Sequence, residues 1–469
     1  MTRTLPTSPS PVARALRPCR PTVAALALEL TVARAARPWL PKAALLLLPL
    51  LATLTGCVAS RRSIDVQNAV TDYYSGAYDR AADVLRPMAR ATDEDFVLNN
   101  VRLGSAALGD YDLDQAEGAF LRAYEVMNAF GVNTGGRTLG AVLVSESIKV
   151  WKGEPFERAM AHFYLGLVYY MRGDWNNARA AFENALFKLR DYGTERDRRD
   201  QYREVESNFV IAHLMLGKCW QKLGRDDLAR ANFGRVAELQ PYLRSLADFD
   251  RNAGANVLLV VDYGYGPHKH TTGDGSIVGF GPTRYEAGPI PPPRLLVDGR
   301  PFDINTIDHP PIDLLALAQE RRWQSIDTIR AIKSALGTGL MVAGAYQGTR
   351  RNRDDRDMAA AGVLILAGAL LKASSGADLR QWEMLPRSTF VLPLRLKPGH
   401  RDVTVEFPGG YHQTWRNLTV PETGEATYYM RLTKWTSGTY AWPPPAIVRA
   451  GGEAHAAEPA APRATVRGE

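Results

Sequence analysis

Two stretches of the chain repeat the same spacing of small and bulky residues, and this repeat constrains the fold more than any other feature. The stretches are YLGLVYYMRGDWNNARAAFENAL and MLGKCWQKLGRDDLARANFGRVAELQP. The shared positions are Gly166, Tyr169, Gly173, Ala178, Phe182 and Ala185 in the first, and Gly217, Trp220, Gly224, Ala229, Phe233 and Val236 in the second. Such self-similarity predicts stacked copies of one supersecondary unit.

Both stretches resemble the tetratricopeptide repeat, whose unit is a pair of antiparallel helices. Two earlier stretches match less fully, at Gly104, Ala116, Phe120 and Ala123, and at Ala69, Gly76, Tyr78, Ala81 and Leu85. The resemblance implies that glycine and alanine lie where helices cross closely, while phenylalanine or leucine fills the space between neighbouring pairs. One pair cannot bury its own apolar face, so the units must stack. A generic helical bundle is the alternative.

Insertions interrupt the array. They comprise residues 131–155 and the highly charged residues 190–207. The second insertion is predicted to be a solvated extension of a helix.

The resemblance also implies a binding surface, because the first helix of each pair lines the concave side in this family. The corresponding positions here are Tyr73, Val101, Met160, Phe163, Leu167, Tyr170, Leu214, Lys218, Gln221 and Lys222. Aromatic side chains with lysines at one end would suit an extended peptide with an acidic terminus. The same residues could instead pack against the insertions or the second half of the chain, and both interpretations stay open.

The apolar run LLLLPLLATLTGCVAS, at residues 45–60, indicates an address signal. A membrane-spanning helix needs roughly 20 apolar residues, and the run from Ala43 to Leu54 is too short. Arg34, Arg37 and Lys42 precede it and small residues follow it, which is the order of a secretory signal. A buried apolar helix is the alternative.

The end of this run, Leu54-Thr55-Gly56-Cys57, resembles the lipobox of bacterial lipoproteins. The resemblance implies cleavage between Gly56 and Cys57 and attachment of diacylglycerol to the Cys57 thiol. Two acyl chains hold a protein on a membrane far more firmly than one. Val58, rather than aspartate, favours the outer membrane by analogy with enteric sorting.

Charge is concentrated in the predicted signal peptide. Of the net charge of +7, residues 1–56 contribute +6 through seven basic groups and one acid, Glu29. The remaining chain is nearly neutral, which argues against a nucleic-acid partner. The cysteines, Cys19, Cys57 and Cys219, match no disulfide framework or zinc pattern. Cys219 is predicted to act as a small buried hydrophobe.

After Pro241 the helical periodicity gives way to short strand-like runs. The Asp298-Gly299 pair predicts a hairpin turn. Helices are predicted at about 311–347 and 357–373, and strands return in RSTFVLPLRL and ATYYMRL. The passage LKPGHRDVTVEFPGGYHQTWRNLTV is similar to a short beta repeat of surface proteins. Together with the lipobox and the repeat array, this order resembles a family of uncharacterised tetratricopeptide-repeat lipoproteins of Gram-negative bacteria, which implies no catalytic residues.

Two apolar, glycine- and alanine-rich runs lie at 335–348 and 359–371. Each is about 13 residues, or roughly 20 Å as a helix, which is short of a ~30 Å hydrocarbon layer. A helical hairpin packed on a sheet is expected, with membrane insertion as the alternative.

Candidate chemistry is sparse. His268, His270 and Asp274 form the best metal-like cluster, but they lie in a glycine-rich stretch without a helical ligand pair. Asp262 and Tyr263 end a predicted strand, where a site could lie, but no other candidate residue is expected to converge on them. The remaining histidines considered were His309, which precedes two prolines, and His400 and His412, which lie near turns. No nucleophile-elbow, phosphate-binding or zincin motif occurs. We therefore expect no enzyme activity, cofactor or metal.

These observations predict an α+β protein in which an all-α repeat array precedes a smaller β-rich domain with an apolar helical hairpin. The boundaries are a signal peptide at 1–56, a lipid-anchored linker at 57–65, helical repeats at 66–250, an α+β domain at 251–435 and a disordered tail at 436–469. The expected function is an envelope scaffold, facing the periplasm, that binds a protein or peptide in the helical groove. The alternatives are a membrane-remodelling or export component using residues 335–371, and a small-molecule or hydrolytic site in the second domain, at which His268, His270 and Asp262 would gather.

Overall fold

Among the residues that the structure describes, the regular elements before residue 255 are helices and most of those after it are strands, which matches the predicted order of the two parts. The computed structural model describes residues 59–128, 150–190, 209–272, 277–283, 288–304, 309–319, 379–444 and 447. The predicted signal peptide with Cys57, most of both insertions, and the apolar runs between 335 and 371 lie outside these residues. Within the described residues no helix combines the length and the apolar character that crossing a membrane requires.

The helices follow one another in pairs joined by short turns. Their bounds are α1 Ala59–Tyr74, α2 Tyr78–Arg90, α3 Phe96–Gly109, α4 Leu113–Asn128, α5 Pro155–Met171, α6 Trp175–Arg190, α7 Val210–Lys222 and α8 Asp226–Leu239. Helix α3 packs on α4, α5 on α6 and α7 on α8, and α4 packs on α5 across the first insertion. The predicted array of consecutive helix pairs is therefore present.

Each described pair from α3 onward crosses at a glycine that faces a phenylalanine. A Cβ atom added to Gly104 would lie 2.8 Å from the Phe120 ring, and one on Gly166 would lie 2.7 Å from Phe182. In the last pair, Phe233 lies against Gly217 in the same way. The predicted spacing is thus confirmed, but the phenylalanine contacts the glycine of its own pair, whereas the resemblance implied a place between neighbouring pairs.

The turn inside each pair requires one residue with positive φ. Gly76, Gly173 and Gly224 have φ of 81°, 76° and 68° at this position. In the second pair the residue is Tyr111, with φ of 64°. A side chain in the left-handed region costs about 1–2 kcal/mol, so the position of Tyr111 indicates a compensating contact, described below.

The described strands form three sheets. They are β1 Val257–Tyr263, β2 His268–Thr272, β3 Ile277–Gly281, β4 Arg294–Val297, β5 Arg300–Phe302, β6 Ser388–Leu394, β7 Gly399–Phe407, β8 Tyr411–Val420, β9 Ala426–Leu432 and β10 Gly438–Ala441. One sheet has the order β6-β1-β9, with β1 antiparallel to β6 and parallel to β9. A second has the order β10-β8-β7-β4-β5, and β2 pairs with β3 alone. Short helices α9 Phe249–Gly254 and α10 Leu314–Ala318 and the 3-10 helix Pro241–Leu243 complete the described elements.

The predicted turn at Asp298-Gly299 is confirmed, and a second tight turn lies between β7 and β8. Asp298 and Gly299 have φ of 51° and 74° and join β4 to β5. Gly409 and Gly410, with φ of 99° and 88°, join β7 to β8 within the passage similar to a beta repeat. In the two-residue turn at Asp298-Gly299, positive φ at both central residues matches the twist of the flanking strands, which is why such pairs mark tight hairpins.

The predicted tail begins too early. Strand β10 pairs with β8 in parallel, so the folded part continues past residue 435. The Trp442 ring then packs against Tyr111 at 5.2 Å and Tyr428 at 4.9 Å between ring centroids. Aromatic burial thus retains in the fold a stretch whose composition predicted disorder.

The chain divides into two compact units, residues 1–72 and 73–469. In the first, the described part is most of α1, where Thr71 Oγ1 donates to Gln67 O at 2.8 Å. The second contains both the later helix pairs and the sheets. The predicted division at residue 250 therefore separates helices from strands but does not separate two compact units.

We predict that Phe182→Ala lowers the free energy of unfolding by about 3–5 kcal/mol, because it leaves a cavity where Gly166 admits the ring. Thermal or denaturant unfolding measures this change. Phe187→Ala on the same helix is the matched control, since Phe187 is 47% exposed, and should change stability by less than about 0.5 kcal/mol. An unchanged unfolding curve for Phe182→Ala would show that the assigned register is wrong.

Candidate protein-binding site

The predicted concave positions are not open to a partner. Gln221 and Lys222 are partly exposed, and the rest are buried, none more than 2% exposed: Tyr73, Val101, Met160, Phe163, Leu167, Tyr170, Leu214 and Lys218. Tyr73, Tyr170 and Lys218 contact the chain's own β-rich half, in keeping with the second of the two interpretations. Phe163 instead packs against Phe182 and Phe209 of the helical half. We call this covered face the groove.

At one end of the groove, basic side chains bind a carboxylate, where the sequence suggested the acidic terminus of a partner peptide. The carboxylate, however, belongs to Glu425, immediately before β9. Lys218 forms an ion pair with it, Lys222 Nζ lies 3.6 Å from Oε1, and the Tyr170 hydroxyl donates to Oε1 at 2.8 Å. Burial lowers the pKa of Lys218, opposed by the nearby Glu425 carboxylate. The predicted acidic ligand is thus provided in cis.

The same end is fastened by backbone acceptors of helix α9. Lys218 Nζ donates to Asn252 O at 2.8 Å, and Gln221 Nε2 donates to Phe249 O at 3.0 Å. The buried Lys218 ammonium group therefore has two partners in this chain, Asn252 O and the Glu425 carboxylate. A buried ammonium without such partners would be strongly destabilising.

In the middle of the groove, hydroxyl groups converge on the fully buried Asp262 of β1. Its carboxylate accepts from Tyr164 of α5 at 2.5 Å, Tyr429 of β9 at 2.8 Å and Thr389 of β6 at 2.5 Å. Burial raises the pKa of Asp262, while Arg431 and the hydroxyl donors oppose the rise. The sequence indicated that nothing else gathers near Asp262, and that expectation is wrong.

Two further contacts join helices to β9. Arg431, 1% exposed, donates from Nε to the Tyr73 hydroxyl at 3.2 Å. The Tyr111 hydroxyl donates to Tyr429 O at 2.6 Å and accepts from Tyr429 N at 2.9 Å. Tyr111 therefore satisfies the outer edge of β9 at that residue, which is the contact that offsets its left-handed backbone.

The other end of the groove holds residues 380–385, which we call the groove segment. Its backbone is bound by side chains from the helices and their connections. Trp382 N donates to Glu157 Oε1 at 2.8 Å, Arg380 O accepts from Trp151 Nε1 at 3.0 Å, and Met384 O accepts from the Tyr73 hydroxyl at 3.4 Å. The Tyr74 hydroxyl donates to Glu383 O, the carbonyl before that of Met384.

Two side chains of the groove segment provide its anchors. The Trp382 indole, 2% exposed, donates to Ser105 Oγ at 3.1 Å and packs 5.7 Å from the Tyr164 ring. Glu383 pairs with Arg102 through two bonds, at 2.6 Å to Nη2 and 2.8 Å to Nε. A buried aromatic beside a bidentate ion pair is the arrangement expected of a bound peptide.

The histidine cluster does not form a site in the described residues. His268 and His270 are exposed on β2, and His268 Nδ1 lies 3.2 Å from Gln381 Nε2. Asp274 lies outside the described residues, and Asp262 is buried elsewhere. In the described ranges no group of three metal-ligating side chains occurs.

A cavity of about 330 Å³ lies at the β7–β8 turn, away from these residues. It is lined by Arg294, Glu406, His412 and the turn at 407–411. The three side chains proposed for a hydrolytic site, Asp262, His268 and His270, do not line it. Cys219 is buried, as predicted, and burial raises the pKa of its thiol, which leaves it without the thiolate character of a nucleophile.

The comparisons with known proteins agree with the geometry of the helix pairs. A family model described as a tetratricopeptide repeat matches residues 159–191, which cover most of α5 and all of α6. Proteins built from this repeat are generally protein-interaction scaffolds and are typically non-catalytic. No curated protein matches the chain.

Sequence reasoning missed the groove segment. Residues 380–385 read RQWEML, with neither a strand nor a helix pattern. A signal was nevertheless present: Trp382 and Glu383 are a large aromatic and an acid in a stretch between a predicted helix and a predicted strand. Finding the contact between Glu383 and Arg102, 281 positions apart, would require a comparison of these two positions across related sequences.

We predict that Glu157 makes stability depend on pH. Burial raises its pKa from 4.5 to about 7, the carboxylate of Glu154 adds to this rise, and Lys269 with the N–H groups of Glu154 and Trp382 opposes it. The folded chain therefore holds this proton more tightly than the unfolded chain. The resulting stabilisation is complete below pH 4.5 and is lost as the pH rises to 7.

Glu157→Gln should remove this dependence, so the wild type should lose about 1–3 kcal/mol relative to the variant between pH 4.5 and 7. Denaturant unfolding at several pH values measures the difference. Glu183→Gln is the control, because that side chain is 47% exposed on α6. Parallel pH profiles for wild type and Glu157→Gln would contradict the assignment.

Proposed function

We propose that this protein is a lipid-anchored scaffold of the cell envelope that binds a partner protein through its helical repeats. The observation that carries the proposal is the series of helix pairs crossing at Gly104–Phe120, Gly166–Phe182 and Gly217–Phe233, one of which matches the tetratricopeptide repeat. A rigid array presents a preformed surface, so the scaffold loses little conformational entropy when a partner binds.

The anchor rests on the sequence. A short apolar run ends at Gly56-Cys57, and basic residues precede it. Acylation of Cys57 would place the anchor two residues before α1, which begins at Ala59. The proposed location is the periplasmic face of the outer membrane, because Val58 follows the acylated position.

The binding surface is proposed to include the second helix of each pair, since the first helices line the groove and the groove is filled in cis. Two apolar side chains remain open there: Leu121 on α4 is 36% exposed and Phe187 on α6 is 47% exposed. Each is a candidate contact for a partner protein.

The anchor predicts a simple fractionation result. Wild-type protein should sediment with membranes, and Cys57→Ala should appear in the soluble fraction after carbonate extraction, because it lacks the acyl chains. Cys219→Ala is the matched control and should behave as the wild type. A Cys57→Ala protein that resists carbonate extraction would contradict attachment by lipid alone and would favour membrane insertion by residues 335–371.

The scaffold role is tested by a photo-crosslinking residue placed at position 121 or 187 of the full-length protein in living cells. We expect a discrete protein adduct from at least one of the two positions. The control position is Trp435, which is 44% exposed but lies outside the array. Adducts at 435 alone, with none at 121 or 187, would show that the partner does not use the helical repeats.

A further inference from the structure

The groove segment is held as a peptide ligand is held. Side chains, and not a backbone ladder, bind most backbone groups of the segment, such as Trp382 N and Arg380 O. The exception is Leu385, whose O accepts from Gly266 N at 2.8 Å and whose N donates to Trp382 O at 3.4 Å. Those side chains come from residues far away along the chain, such as Arg102 and Glu157. A separate peptide with the same groups could make the same contacts.

We propose that the groove segment is a replaceable internal ligand, and that the groove binds in trans an extended partner peptide in which tryptophan is followed by an acidic residue. This inference rests on the proposed function and specifies the chemistry of its partner. The indole of such a peptide enters between Ser105 and Tyr164, and its acid pairs with Arg102.

The rest of the fold can remain intact when the groove segment leaves. Immediately after it, Arg387 pairs with Asp313 through two bonds of 2.7 Å, and Arg387 N donates to Tyr263 O at 2.8 Å. Strand β6 then pairs with β1 along its whole length. These contacts hold the chain at residue 387, so a local opening does not require β6 to separate from the sheet.

The charge in the groove selects the acid in the partner. Arg102 has a side chain 6% exposed, and Glu383 is the acid with which it forms an ion pair in the described residues. When the groove segment leaves, the guanidinium loses that partner while it stays largely desolvated. An incoming carboxylate restores the pair, whereas a neutral or basic side chain at that position does not.

Occupancy in cis also sets how tightly the partner binds. A tethered ligand acts at a high effective concentration, so only a fraction of the molecules is open. The observed affinity for a free peptide is the affinity of the open form multiplied by that fraction. Substitutions that weaken the groove segment should therefore strengthen binding of the same sequence supplied in trans.

Hydrogen exchange of the wild-type protein gives the first test and needs no variant. If the segment opens locally, amides of residues 380–385 should exchange at least ~100-fold faster than those of residues 390–392 in β6. Equal rates for the two stretches would show that the segment leaves only on global unfolding, and this result would overturn the proposal.

The second test uses a labelled nonapeptide with the sequence of residues 379–387, titrated by fluorescence anisotropy. The variant Trp382→Ala/Glu383→Lys should bind it at least ~10-fold more tightly than the wild type does. Lys434→Ala/Trp435→Ala, which alters an exposed tryptophan and its neighbour, should bind as the wild type does. Peptides with alanine for tryptophan, or lysine for glutamate, should bind the opened variant at least ~10-fold more weakly.

A folded opened variant that does not bind the peptide would overturn the proposal, as would equal binding by the variant and the wild type. If the variant does not fold, the hydrogen-exchange result decides alone. Adducts at positions 121 or 187 together with a negative peptide result would leave the scaffold function standing and remove only this inference. Peptide binding without adducts would reject the proposed outer contacts.

Discussion

The structure depends on the burial of the inner face of the helix pairs. That face carries aromatic and aliphatic side chains that one pair cannot cover, and it also carries polar groups that need partners once water is excluded. The β-rich half both covers the apolar side chains and provides partners for the polar groups. Asp262 receives three hydroxyl bonds, and Glu425 receives Lys218 and Tyr170. Removing one member of such a buried set leaves the others unsatisfied, which costs more than the contact itself contributes.

This burial explains why helices and strands form one compact unit beyond residue 72. The inner helices meet β1, β6 and β9 through side chains that are polar at the tip and apolar along the ring, as tyrosine is. Tyr73, Tyr111 and Tyr164 each reach the sheet region in this way. The concave face that such repeats generally use for binding is therefore covered by the chain's own β-rich half. The groove segment is the part of this cover that side chains hold in place.

The sequence predicted the elements whose signals are local. The repeated spacing identified the helix pairs, Asp298-Gly299 identified a hairpin turn, and the apolar run before Asp262 identified a strand. It was less accurate for the tail, because strand β10 depends on pairing with β8 and on the packing of Trp442 against residues far away in the chain. Composition reflects only the local structural preference of a stretch. It therefore predicts disorder for a short strand that is stabilised by residues far away in the chain.

The sequence by itself determined that glycine and phenylalanine recur at a fixed separation, and this spacing is enough to specify helix pairs because the contact lies within one unit. It also determined that lysines near the end of α7 favour a carboxylate. Only the tertiary structure decided that this carboxylate is Glu425 and that Trp382 and Glu383 fill the other end of the groove. Those contacts join residues some 200 or more positions apart, and no periodicity along one chain encodes which distant segment will cover a given face.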